Sequence, residues 1–240
     1  MTFSELLSRA LHCMSVPECL ACKERLDYED LALCPSCSAR FERYKERNCA
    51  RCAKPLYECL CSNLYLEAHS VKRLVKVFRY RQHEESDSAN AIIYNLKREC
   101  RYDVLKRATL ELSSAIRSSL TPDSNYIFSN IPRRFAAVLD HGVDHAAELA
   151  HSLAKELGCE YMPLLTSKSK KAQKKLDREE RITNAEFDFK RTPDLKGKTV
   201  ILVDDIVTTG ASMGHAAMLI RSLGAKEVIG AALAIAYFDD

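Results

Sequence analysis

A chain of 240 residues carrying a formal net charge of +3 has room for one ordinary domain and a small second one, and its bulk charge is too low to make the whole molecule a polyanion binder. The first sixteen residues, interrupted by Glu5, Arg9 and His12, lack the apolar core of a secretory signal, and the longest apolar run, near residues 228–238, is too short to span a bilayer. A soluble, cytoplasmic protein without a membrane span is expected.

Nine of the eleven cysteines lie between Cys13 and Cys61. In a reducing compartment, clustered cysteines at short spacings point to metal. Cys19-Leu-Ala-Cys22 and Cys34-Pro-Ser-Cys37 form two CxxC knuckles spaced to close on one ion, since zinc in a structural site takes four tetrahedral thiolates. Cys49-Ala-Arg-Cys52 and Cys59-Leu-Cys61 offer a second set, with a single residue inside the last pair. One or two zinc sites are therefore expected, and an arrangement in which pairs from the two sets share ions stays open. With few apolar residues, the segment is expected to draw its folding free energy from metal, on the order of 10 kcal/mol per site. Redox catalysis fits less well, because thioredoxin-like pairs come singly and open a helix after a strand. Cys100 and Cys159 read as free, partly buried thiols.

The cysteines stop near residue 66, which divides the chain into a Cys-rich module, 1–66, and a second domain, 67–240. Residues 71–81 mix apolar side chains with Lys72, Arg73, Lys76, Arg79 and Arg81, and the first part reads as a helix with one basic face. Helices are predicted over 87–101 and 102–120, the second stopped by Thr121-Pro122-Asp123. Residues 126–131 should form a strand feeding Pro132-Arg133-Arg134, a rigid turn whose guanidiniums suit a phosphate or pyrophosphate; solvated arginines are the plainer alternative. Residues 144–157 carry the clearest amphipathic pattern, with Gly158 as its stop, and 160–165 a short strand. Strand and helix alternate from there, which implies a parallel sheet of the α/β class. The polar run 167–181, which includes Lys170 and Lys171, is a solvated loop or a cationic lid over a leaving group or over nucleic-acid phosphates.

The densest chemistry is in Lys198-Thr-Val-Ile-Leu-Val-Asp-Asp-Ile-Val-Thr-Thr-Gly-Ala-Ser-Met213. Residues 199–203 suit a buried parallel strand, with two acids where it should end. Asp204 and Asp205 can accept hydrogen bonds from a sugar diol. The turn Thr208-Thr209-Gly210-Ala211-Ser212 offers N–H groups and hydroxyls to a phosphate, aided by the helix that follows. A ribose 5-phosphate fits. A Walker B reading would need a P-loop, but Gly197-Lys198-Thr199 has Thr192 in place of the first glycine and leads into a strand.

This stretch resembles the signature of type I phosphoribosyltransferases, which implies that Asp204 and Asp205 hold the ribose hydroxyls of PRPP and that Thr208 to Ser212 wrap its 5-phosphate. Some members that act on purines carry a third acid where this chain has Thr208. Together with the tandem knuckles, the basic segment 74–81, the Pro132-Arg133 turn, and Gln173, Leu176, Arg181, Asn184 and Phe187, the motif is similar to the ComF (or GntX-like) family. That resemblance implies a type I phosphoribosyltransferase-like parallel sheet flanked by helices, a small N-terminal zinc module, and for some members an association with DNA uptake. Departures are His141-Gly-Val-Asp-His145, where the family commonly shows Arg-Gly-Phe-Asn-Gln, Ser129-Asn-Ile-Pro132 at the preceding strand end, and Arg79 where a lysine is usual.

Two functions follow as expectations. One is an enzyme in which Mg2+ accompanies PRPP, Arg133, Arg134, Lys170 and Lys171 neutralise the pyrophosphate, Asp204 and Asp205 hold the sugar, and an unidentified nitrogen acceptor attacks. The other is a non-catalytic, PRPP-responsive factor for single-stranded DNA or for docking DNA-uptake proteins. Phe78-Arg-Tyr-Arg81 and Phe41 to Tyr44 could then stack bases, although core packing is the commoner fate of such aromatics.

Overall fold

A computed structural model of the chain describes residues 17–27, 30–80, 88–121, 125–133, 143–167 and 187–236. Its centre is a five-stranded parallel sheet. β1 (Leu74–Arg79), β2 (Tyr126–Asn130), β3 (Glu160–Tyr161), β6 (Thr199–Val207) and β7 (Glu227–Ile235) stand in the order β1-β7-β6-β2-β3. β4 (Leu165–Ser167) and β5 (Phe187–Phe189) form a separate antiparallel pair. Helices α3 (Ser88–Arg98), α4 (Tyr102–Ser119) and α5 (His145–Leu157) cover one face, and α6 (Ala211–Ser222) with the short α2 (Leu64–Ala68) covers the other. Among the described residues no helix is long and apolar enough to cross a membrane.

The continuous apolar runs of β6 and β7 suit strands buried on both faces. Alternation divides their side chains: Ile201 and Val203 pack with Ala108, Leu112 and Leu149, whereas Val200 and Leu202 pack with Met213, Ala217 and Leu66. Strand order fixes where a ligand can enter. From β2 the chain proceeds outward to β3, and from β6 it proceeds the opposite way to β7, although β2 and β6 are neighbours. Open α/β sheets bind ligands beyond the carboxyl ends of strands at such a reversal.

Three elements differ from the sequence reading. Residues 74–79 are a buried strand and not a basic helix. Lys72 and Arg73 precede the strand, so their charge does not mark a helix face, and β-branched Val75 and Val77 with Phe78 pack well on a pleated surface. The acids do not end β6: the ladder continues through Asp204↔Ala232, Ile206↔Ala234 and Val207↔Ile235. The strand expected over 160–165 splits, because Pro163 between its halves cannot donate to a ladder, and β3 and β4 join different sheets.

The cysteine-rich segment also buries more apolar surface than its composition suggested. Leu20, Leu26, Leu33, Phe41, Tyr44 and Leu56 are buried, and most of them join the core formed by β1, α3 and α4. Phe41, on α1 (Pro35–Lys45), meets Phe78 of β1 edge to face at 5.6 Å, and Tyr44 Oη donates to the Arg79 carbonyl at 2.8 Å. Phe41, Tyr44 and Phe78 are thus packing residues, not free stacking platforms.

Candidate active site and cysteine clusters

The carboxyl ends of β2 and β6 bring together most of the described residues singled out for a sugar phosphate. The Ile131 N–H donates to the Val203 carbonyl at 2.9 Å, which sets Pro132 and Arg133 beside the acid pair. Asp144, the N-cap of α5, accepts from Ala147 N–H at 3.1 Å and from Arg133 N–H at 3.3 Å. One carboxylate therefore starts the helix and anchors the arginine turn. Arg134, Lys170 and Lys171 lie outside the described residues, as do His141, Gly142, Gln173, Leu176, Arg181 and Asn184.

Asp204 and Asp205 have different environments. Asp204 is half-buried, and its Oδ1 accepts from the Asp205 N–H at 2.9 Å. Burial, and then the neighbouring Asp205 charge, push its carboxyl well above the usual range. Asp205 is only 3% exposed. Burial acts upward there too, but the charge of Lys97 and the contact with His145 outweigh it and hold Asp205 below the usual range. Lys97 Nζ stands 3.5 Å and His145 Nε2 2.7 Å from Asp205 Oδ2. The imidazole lies close to that buried oxygen without hydrogen-bond geometry, which leaves the oxygen with acceptor capacity.

His145 links the arginine turn to the acid pair. Arg133 Nη1 lies 3.0 Å from His145 Nδ1. A guanidinium only donates, so Nδ1 accepts and the proton sits on Nε2, facing Asp205. Neither His145 nor Lys97 was read as a site residue from sequence, His145 being named only within the departure His141-Gly-Val-Asp-His145. The sequence signal for His145 was its place immediately after an N-cap aspartate; Lys97 had none, since it is one of two basic residues ending α3.

The turn after β6 opens α6 on a glycine. Gly210 adopts φ 86° as the N-cap of α6, the left-handed region that favours glycine, and a Cβ there would lie 2.7 Å from Leu66 Cγ. Thr209 Oγ1 accepts from the Ala211 N–H at 3.3 Å. Thr208 and Thr209 are half-buried, Ser212 is exposed, and the first turn of α6 contains no acid. The positive end of the α6 dipole thus lies at this turn.

The cysteines separate into two consecutive groups, Cys19, Cys22, Cys34, Cys37 and Cys49, Cys52, Cys59, Cys61, with all sulfurs of a group within 4.8 Å of one another. They do not interleave. Either group could hold a metal ion: the Cys22 and Cys34 sulfurs are 3.6 Å apart, near the edge of about 3.8 Å that a tetrahedron with Zn–S bonds of ~2.3 Å has. Each group also has a cation against a sulfur, as anionic thiolates require. Arg40 Nη2 donates to Cys37 Sγ at 2.8 Å. Lys76, 2% exposed, reaches Cys59 Sγ at 3.2 Å and the carbonyls of Cys59, Cys61 and Leu74 at 3.1, 2.6 and 3.2 Å. Within the second group the Lys54 N–H brings Cys52 down to about 7, while burial pushes Cys59 up to about 12.

Comparison with known proteins agrees with this layout. A family model described as "Phosphoribosyl transferase domain" matches residues 124–237. The competence protein ComFC of Streptococcus pneumoniae is 28% identical over 201 residues, covering 83% of this chain and 86% of that protein. ComFC of Bacillus subtilis is 24% identical over 206 residues, covering 81% and 80%. The chain is similar to ComFC proteins over most of its length and carries a phosphoribosyl transferase domain match. Among solved structures, the purine phosphoribosyltransferase of Pyrococcus horikoshii Ot3 overlaps 55% of this ComF homologue and 72% of its own chain, at 22% identity and a TM-score of 0.35. In this chain the domain match begins at β2 and ends just past β7, so β1, α3 and α4 complete its sheet and one helical layer from outside the matched segment.

Proposed function

We propose that this protein binds Mg-PRPP across the carboxyl ends of β2 and β6 and transfers its phosphoribosyl group to a nitrogen acceptor. The observation that carries this reading is the juxtaposition, at the strand-order reversal, of an acid pair and a left-handed glycine opening a helix. Asp204 and Asp205 would hold the ribose hydroxyls, and Thr208, Thr209, Gly210, Ala211 and Ser212 the 5-phosphate. Arg133, with Arg134, Lys170 and Lys171, would take the pyrophosphate. Mg2+ bound with PRPP supplies charge neutralisation of the leaving group, and the carboxylates at the strand end are hard oxygen ligands suited to it.

The residues present then have distinct tasks. Asp204, with the ligand in place, would stabilise positive charge as the anomeric carbon loses pyrophosphate. Asp205 is already ionised beside Lys97. Through His145, Arg133 is held at a fixed place relative to the acids, so the two ends of the ligand are positioned by one network. Both cysteine groups would carry structural Zn2+. By the names of its relatives the protein serves competence, and the division into a 1–66 zinc module and a 67–240 transferase unit is the one we adopt for that role.

Thr208 favours a second reading, a PRPP-responsive factor without turnover acting on single-stranded DNA or uptake proteins, because the stretch from Ile206 to Met213 contains no carboxylate base. Pyrophosphate release with a panel of nitrogen bases separates the two: release supports transfer, while saturable PRPP binding without release supports the factor. Failure of the native protein to bind Mg-PRPP overturns both.

A further inference from the structure

The second cysteine group lies next in the chain to the element that supports the phosphate turn. Two residues beyond Cys61, Asn63 caps α2: its Oδ1 accepts from Leu66 N–H at 2.8 Å, and its Nδ2 donates to the Thr209 carbonyl at 3.2 Å. Leu66, fully buried, fills the space that a side chain on Gly210 would need. Tyr65 Oη meets His215 Nε2 at 3.3 Å, and Gly214 lets α6 approach so closely that an added Cβ would lie 2.9 Å from His69 Cβ. One face of α2 is therefore the bed on which the turn and the start of α6 rest.

The other end of this segment is fixed to the cysteines. Lys76 binds the Cys59 sulfur and the Cys59 and Cys61 carbonyls from within β1. Arg51, inside the Cys49–Cys52 knuckle, donates to the Ser62 carbonyl and, at 2.7 Å, to Glu67 Oε1. Ser62 Oγ donates to the Val71 carbonyl at 2.8 Å. Among the described residues the first cysteine group has no comparable path, since its residues join the core on the opposite face of the sheet.

We infer that residues 61–69 are a strut through which metal in the second cysteine group sets the phosphate turn, with Asn63 and Leu66 as positioning residues. Four tethered thiolates fix Cys59 and Cys61, these fix Asn63 and Leu66, and these hold the Thr209 carbonyl and Gly210 so that the turn's N–H groups converge on one anion. Linkage makes the coupling reciprocal: an occupied turn holds the metal more tightly. The effect on affinity rests on the PRPP reading above; the effect on the turn itself does not.

The test uses full-length, zinc-saturated protein with three substitutions. Asn63→Ser retains an N-cap hydroxyl for α2 but cannot reach Thr209. Leu66→Ala removes the packing under Gly210. Tyr44→Phe removes a hydrogen bond between the cysteine segment and the sheet on the opposite face, and controls for general loosening. Hydrogen exchange of the 208–212 amides, zinc content, and PRPP titration are read for each. The expected result is two zinc ions per chain throughout, faster exchange at 208–212 in Asn63→Ser and Leu66→Ala but not in Tyr44→Phe, and PRPP binding about tenfold weaker in the first two. Chelator extraction of one of the two zinc ions should slow when PRPP is bound. Unchanged exchange in both Asn63→Ser and Leu66→Ala overturns the strut, whatever PRPP does. Faster exchange in a protein that binds no PRPP supports the strut and rejects the ligand reading alone.

Discussion

Neutralising each acid of the pair in turn should move stability in opposite directions while removing the same ligand. In Asp205→Asn a buried carboxylate loses its charge beside Lys97 Nζ at 3.5 Å and His145 Nε2 at 2.7 Å. Two unit charges at the Lys97 distance attract by roughly 4–5 kcal/mol at an effective dielectric of ~20. Lys97 is 41% exposed, so solvent screening leaves about 1–2 kcal/mol, and the weakened imidazole contact adds about 1 kcal/mol. At ~2–4 °C per kcal/mol for a chain of this size, Tm should fall by about 4–12 °C. Asp204→Asn should instead raise stability, on the order of 1 kcal/mol, by removing a carboxylate that burial and Asp205 disfavour. The pH dependence follows the same signs. Asp205, depressed in the fold, stabilises above its unfolded range, and that contribution is lost as pH falls through its folded value. Asp204, raised in the fold, contributes below its unfolded range and loses that contribution as pH rises through its folded value. Differential scanning calorimetry of metal-saturated protein from pH 4 to 8, with PRPP titration at pH 7.5, reads both effects. Equal destabilisation by the two substitutions would refute the assignment of one acid as electrostatically satisfied and the other as held in reserve for a ligand.

Three other outcomes are expected. Lys76→Met leaves the Cys59 thiolate without its buried cation and should weaken metal at the second group about 10–100-fold in chelator competition, with the first group unchanged; equal loss at both would contradict the pairing. Phe41→Ala, at a fully buried position against Phe78, should cost about 3–5 kcal/mol in urea denaturation; a cost below about 1 kcal/mol would reject the packing role of these aromatics. Because Cys59 is pushed up to about 12 while Cys52 is brought to about 7, the metal-free second group is partly protonated at neutral pH. Metal loading should release protons and strengthen as pH rises from 6 to 8, and calorimetry in buffers of different ionisation enthalpy would detect the release or its absence.

The parts of the site legible in the sequence were those coded by local order. The turn after β6, the helix after it and the stop at Gly158 each depend on neighbouring residues, and the structure places them as the spacing indicated. The CxxC knuckles are local as well, but their partition into two consecutive groups is a tertiary fact. What could not be read depended on which elements meet. Lys76 looked like one charge among several in a basic segment, because nothing in residues 71–81 tells that the third residue of a buried strand faces a thiolate. His145 and Lys97 come from two helices that converge on Asp205 only after the β2–β6 crossover is made. The helix expected over 71–81 failed for the same reason: an edge strand beside small-residue β7 is stabilised by partners more than 140 residues away.

The most direct test of the central claim is isothermal titration of the native, zinc-loaded protein with PRPP in the presence and absence of magnesium. Saturable, magnesium-dependent binding that Asp204→Asn/Asp205→Asn abolishes is the expected result. Absence of binding by the native protein, or binding that survives loss of both carboxylates, would contradict a ribose phosphate site at the ends of β2 and β6.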